Sequence, residues 1–331
     1  MVEKMKGTKK LVLSVVALVI TLAMSVTATY AWFTTNTYAT VNGFDVNVTT
    51  AEEGLFVRIK VPGGTEEKNY GVSVSSEDIL EAIELNNGGN EPFLMPLTSA
   101  DGKTLKSTTA VIADSIDLGG EGVTWVEAAN GTYAKFTLEF NSLRPGNIIL
   151  VGKVGLNETS YINPKNAEPT AKNSMTAWTA ITAEELGYGT EDYEAGDPIP
   201  LRAFNAARVS FVDGDTAAVW APNDINDQIQ IDYYLNAFNW TVGLPDDYKT
   251  NEAVKMVTPL VAEGEEYPEN PENYTVICRL GDEQQSGGWY HGEVEILIWL
   301  DGNDGSAINN IIGDIFNVAL QFRRIDKPVQ G

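Results

Sequence analysis

Apolar and polar residues alternate in this chain with a two-residue period, in separate segments along most of its length. That period belongs to strands with one face in a core, and it limits the fold more than any other feature. Phe44, Val46 and Val48 share a face within residues 42–49, and Leu55, Val57, Ile59 and Val61 do so in the next segment. Ala134, Phe136, Leu138 and Phe140 alternate with Tyr133, Lys135, Thr137 and Glu139. Ile229, Ile231, Tyr233 and Leu235 repeat the pattern, as do Val294, Ile296, Ile298 and Leu300, and a last strand carries Phe316, Val318, Leu320 and Phe322. Residues 147–155, 207–212 and 274–280 read as further strands.

Turn residues separate these segments: Pro62-Gly63-Gly64, Asn87-Gly88-Gly89, Gly119-Gly120, Pro145-Gly146, Asp213-Gly214 and Gly287-Gly288. Helical signals are few. Residues 76–86 have a capping serine, early Glu77 and Asp78, and an apolar stripe of Ile79, Leu80 and Ile83. Thr182 with Glu185 reads as a capping box, and residues 307–313 as a short helix before the last strand. The expected fold is all-β: an antiparallel β-sandwich or jelly roll with a few short helices and long insertions. Residues 32–331 are expected to form one such domain, with insertions near 156–200 and 241–272, where Pro, Gly, Asn and Glu replace periodicity. Two smaller sandwiches split near residue 160 are the alternative.

The amino terminus carries an address. Lys4, Lys6, Lys9 and Lys10 precede an uncharged apolar run over residues 11–26, and small residues lead from it to Thr29-Tyr30-Ala31. This is the order of a secretory signal peptide spanning residues 1–31, with Thr29 and Ala31 placed for a signal peptidase that cuts before Trp32. Left uncut, the run falls just short of the roughly 20 apolar residues of a membrane anchor. Either way the lysines stay inside and the rest is delivered outside. The chain is therefore expected to be secreted or held at the extracellular cell surface, touching membrane only through an uncleaved leader.

The whole chain has 22 basic and 46 acidic residues; without residues 1–31 these become 18 and 45, a net charge of −27. Such a surface excludes nucleic acid as a partner, because phosphate binding needs clustered Lys and Arg. Cys278 is the sole cysteine, so an intrachain disulfide is excluded and a buried structural thiol is expected. Export without disulfides fits a Gram-positive bacterial exterior, and about 300 residues bury a sizeable core unaided.

Catalytic signatures are missing. His291 is the only histidine, so neither H-E-x-x-H nor any multi-histidine zinc site can form, and no G-x-S-x-G elbow is present. Asp301-Gly302-Asn303-Asp304-Gly305 is close to a calcium loop, but it is one residue short of the EF-hand spacing and lacks the closing glutamate. A turn is expected there, with a calcium site near Asp301 as the weaker alternative; no other cofactor and no enzyme activity are expected. Trp125, Trp178, Trp220, Trp240, Trp289 and Trp299 suit a sandwich core. Exposed, they would serve the alternative function, a monomeric surface adhesin or carbohydrate-binding module.

Residues 32–41 stand out. Trp32 and Phe33 open a segment rich in Thr, with Tyr38 and Val41, that carries no charge, proline or glycine. An uncharged, strand-prone end can add itself to a neighbouring sheet, because the guards that protect exposed strands are lacking. It can equally be the first strand of its own sheet.

The junction Ala28-Thr29-Tyr30-Ala31-Trp32-Phe33, with the Thr- and Asn-rich strand after it, resembles the secretion signals of the TasA/camelysin family of exported Firmicutes proteins. Asn141-Ser142-Leu143-Arg144-Pro145-Gly146 is similar to that family's N-L-K-P-G turn, with a serine inserted and Arg for Lys. The ending, from Ile298-Trp299-Leu300-Asp301-Gly302-Asn303-Asp304 through Asn309 to Gly313, resembles uncharacterised surface proteins of gut clostridia. The resemblance implies a jelly roll and a fibre or biofilm-matrix subunit that donates its mature amino-terminal strand to the next subunit. The donor would be residues 32–41, with Trp32, Phe33, Tyr38 and Val41 filling pockets in the acceptor. Self-association, or association with other matrix proteins, is the partnership it implies. The metalloprotease activity ascribed to camelysin-type members does not carry over, since this chain lacks a histidine-rich zinc site.

Overall fold

The computed structural model describes residues 39–48, 54–63, 68–97, 99, 101–109, 124–152, 160–165, 174–177, 180–186, 191–200, 202–223, 229–230, 256–259, 274–282, 284–285, 287–301 and 314–326. The first strands are β1 (Thr40–Val48), β2 (Leu55–Lys60), β3 (Ser73–Val74), β4 (Pro96–Leu97), β5 (Lys106–Thr109) and β6 (Thr124–Glu127). Next come β7 (Ala134–Ser142), β8 (Asn147–Leu150), β9 (Tyr161–Pro164), β10 (Ser174–Ala177) and β11 (Pro198–Pro200). The last are β12 (Ala207–Asp213), β13 (Thr216–Trp220), β14 (Ile229–Gln230), β15 (Val276–Arg279), β16 (Tyr290–Asp301) and β17 (Ile315–Ile325).

Two six-stranded sheets dominate. One runs β15-β8-β17-β1-β3, with β9 also on β17; the other runs β13-β12-β16-β7-β2, with β4 also on β16. Strands from before and after residue 160 mix in both sheets, and Tyr161–Pro164, within a segment expected to be an insertion, pairs with β17. The alternating residues meet between the sheets. Phe44 stands edge-on to Phe136 at 5.6 Å, and Phe322 meets Phe140 at 5.3 Å and Phe211 at 6.2 Å in the same way. These rings belong to one continuous core drawn from both sheets.

The all-β expectation holds, and the pairings are mostly antiparallel, with one consequential difference. β1 lies parallel to β17 over eight register pairs, Thr40 opposite Ile315 and Val48 opposite Phe322. Parallel neighbours cannot be joined by a tight hairpin. Here nearly the whole domain forms the crossover, so no local signal could announce the pairing.

The helix Ser76–Asn86 forms as its sequence predicts and buries Ile79, Ala82 and Ile83. Its cap is Ser75, whose Oγ accepts the Asp78 N–H at 3.1 Å, and it stops where Gly88 and Gly89 enter the left-handed region at φ of 69° and 87°. A helical turn, Ala183–Leu186, follows Thr182, and its first N–H donates to Asp192. The short helix expected at 307–313 lies outside the described residues, as does nearly all of 241–272. Of the strand expected around residues 229–235, Ile229–Gln230 is described.

At Pro145-Gly146 the glycine is required by proximity. A Cβ on Gly146 would run into the Ile325 carbonyl oxygen, while Arg324 donates to the Pro145 carbonyl at 3.1 Å. The outer face of the second sheet is covered at one end, where Leu97, Leu105, Val219, Leu297 and Trp299 form a smaller apolar cluster. Its other end carries charged side chains, from the buried Glu139 to the exposed Lys60 and Glu293. No helix among the described residues is long and apolar enough to cross a membrane.

Candidate functional site

The open end of that face is built by β2, β7 and β16. Their inward side chains fill the core, so alternation sends the intervening residues outward. Register then aligns them in rows. Asn141 lies between Phe56 and His291, Glu139 between Arg58 and Glu293, and Thr137 between Lys60 and Glu295.

Opposite charges face one another across these strands. Arg58 Nε meets Glu139 Oε2 at 2.5 Å, Lys60 Nζ meets Glu293 Oε2 at 2.6 Å, and Lys135 Nζ meets Glu295 Oε2 at 2.5 Å. The first pair is the most protected, and the Arg58 guanidinium also stacks 4.4 Å above the Tyr70 ring. The other two are more exposed and add little to stability. Beside the ladder, the turn after β2 and the end of the helix at Asn86 enclose a recess of about 360 Å³.

The hydrogen bond to Glu293 holds the Lys60 ammonium above its ordinary pKa, against a smaller opposing effect of burial. A raised lysine stabilises the fold fully below the unfolded-state pKa of about 10.4, and that contribution is lost as pH rises through the folded value. In a carbon NMR titration of Lys60 Cε, the midpoint is expected above that of a free lysine. Glu293→Gln should bring it back down; an unshifted midpoint in the parent chain would contradict the pairing.

His291 sits at the edge of the ladder. Its Nδ1 is 3.1 Å from Asn141 Oδ1 and 3.4 Å from the Tyr70 hydroxyl. The ligating atoms of Glu139, His291 and Glu293 all lie within 4.8 Å of one another. This is a nitrogen and two carboxylates converging on the solvent side of one sheet.

The residues singled out from the sequence fall elsewhere. Thr29, Ala31, Trp32, Phe33 and Tyr38 lie outside the described residues. Val41 is 8% exposed and sits in β1 of its own subunit, opposite Phe316. Asp301, the first residue of the near-calcium run, pairs with Arg208 at 3.6 Å, and residues 302–305 lie outside the described residues. Cys278 is buried, and burial pushes its thiol pKa far up, so it stays protonated and unreactive. Trp220 and Trp299 are core residues, whereas Trp289 is half-buried and stands edge-on to Phe56 at 5.5 Å.

Sequence reading identified His291 as the sole histidine but did not join it to Glu139 and Glu293. Their positions on the polar faces of alternating strands were legible. Their meeting depends on how β7 and β16 align, and alternation within each strand does not set which residues stand opposite.

Comparison with protein-family models, curated proteins and solved structures gave no match to this chain.

Proposed function

We propose that this chain is an exported, non-enzymatic surface or matrix protein with a jelly-roll fold, whose subunits assemble through the segment preceding β1. One observation carries the reading most: β1 is seated beside a strand from the far end of the chain. It lies parallel to β17, and on its other side, among the described residues, β3 pairs with Val46 and Asn47 and Val48 donates to the Val72 carbonyl. The fold thus accepts a strand that arrives from a distance, as strand addition between subunits requires. Because Val41 is buried in its own subunit, the donor under this reading is residues 32–38, with Trp32, Phe33 and Tyr38 as its anchoring side chains.

Deletion of residues 32–38 should abolish fibres in negative-stain images of exported protein while leaving the strand-type circular dichroism intact. The cut spares β1, so the monomer keeps its core. Fibres that persist after deletion, or an intact chain that never assembles, would overturn the reading. Trp289 beside Phe56, at the rim of the charged face, favours the alternative of a glycan-binding adhesin. Binding on a glycan array by a protein that sediments as a monomer would select it.

A further inference from the structure

We propose that Glu139, His291 and Glu293 bind one divalent transition-metal ion, zinc or a metal of similar ligand preference, on the open face of the second sheet. The inference stands apart from the assembly reading. It rests on the geometry of two adjacent strands and on the coordination chemistry of the three side chains.

The geometry comes first. Glu139 on β7 is directly opposite Glu293 on β16, and His291, two residues before Glu293, points from the same face. Like charges directly opposite one another weaken a sheet unless a cation lies between or beside them. The three ligating atoms are already within 4.8 Å of one another. Around a tetrahedral ion with bonds of about 2.0–2.2 Å they would stand about 3.4 Å apart. Binding requires the glutamate side chains to rotate and close that gap.

The imidazole has an anchoring contact on one nitrogen. When Nδ1 carries the ring proton it donates to Asn141 Oδ1 and the lone pair is left on Nε2; in the other tautomer Nδ1 accepts from the Tyr70 hydroxyl. A ligating histidine anchored in this way through its other nitrogen recurs in metal sites.

The ligand set also decides the class of metal. Calcium and magnesium favour sites made wholly of oxygen, whereas imidazole with carboxylates suits zinc and its neighbours. Three protein ligands leave a further position to water. Arg58 and Lys60 each engage one oxygen, Oε2, of Glu139 and Glu293 respectively. A carboxylate has two oxygens, so it can hold its cation through one and ligate through the other. These nearby positive charges lower the affinity relative to a site without them.

Titration of zinc chloride into chelator-treated full-length chain, followed calorimetrically, tests the proposal. One zinc per chain is expected. His291→Ala and Glu293→Gln should each weaken binding about tenfold or more, and Asn141→Ala, which removes only the orienting contact, about tenfold. Glu295→Gln lies two residues along the same face, outside the triad, and should leave binding unchanged. Circular dichroism verifies that each variant is folded; should His291→Ala fail to fold, His291→Gln takes its place. No saturable uptake, uptake indifferent to His291, or an equal loss in Glu295→Gln would each overturn the site, the last by revealing diffuse attraction to an acidic surface.

Discussion

Replacing Asp314 with alanine is expected to destabilise the fold by about 3–5 kcal/mol, the usual consequence of removing one partner of a buried ion pair. Arg202 is 0% exposed and Asp314 2%. The guanidinium grips the carboxylate with two parallel bonds, Nε to Oδ2 and Nη2 to Oδ1, both at 3.1 Å. The same carboxylate accepts the N–H groups of Ala203 at 2.9 Å and Ile315 at 3.0 Å. One side chain thus satisfies four donors, and it does so between the sheets. Arg202 leads through the short helix Ala203–Ala206 into β12 of the second sheet, while Asp314 immediately precedes β17 of the first. Alanine would take the carboxylate away from a buried guanidinium and leave two amides without their acceptor.

Urea denaturation gives the measurement. The midpoint should fall with little change in slope, since the surface exposed on unfolding is nearly the same. The double variant Arg202→Met with Asp314→Leu removes the charge together with its partner and is expected to lose less than Asp314→Ala alone. A loss below about 1 kcal/mol for the single variant would place this pair among weakly coupled ones.

Phe322→Ala is the second large effect, again about 3–5 kcal/mol, because a buried aromatic ring leaves a cavity that its neighbours only partly refill. Phe322 is fully buried where the sheets meet, edge-on to Phe140 on β7 and Phe211 on β12. Its loss removes two ring contacts across the core at once. Phe322→Leu keeps most of the volume, and its cost should be less than half that of alanine. If leucine and alanine cost the same, the ring geometry rather than the filled volume would be the larger contribution.

Both positions show how unevenly this protein can be read from its residues. Phe322 was visible beforehand as the last of four alternating apolar residues, and a buried strand position followed from that. Arg202 was not visible, since an arginine, even among apolar neighbours such as Leu201 and Phe204, normally turns its charge to water. Its burial is matched by the Asp314 carboxylate, which comes from a distant part of the chain. The open charged face divides in the same way. Lys60, Glu139, Glu293 and Glu295 were legible as outward-facing residues, while the ladder they form was not.

Local pattern alone determined the strand-rich class, the capped helix Ser76–Asn86 and the turns at Asn87-Gly88-Gly89, Pro145-Gly146 and Asp213-Gly214. Their causes act within a few residues: side chains alternate along an extended backbone, Ser75 caps an adjacent amide, and glycine tolerates what other residues do not. Tertiary structure decided that β1 runs parallel to β17, that Arg202 meets Asp314, and that Glu139, His291 and Glu293 converge. Each depends on segments far apart in the chain, brought together by burial of a shared core. Burial specifies which face of a strand turns inward, but the strand's neighbour and register emerge only when the two sheets close.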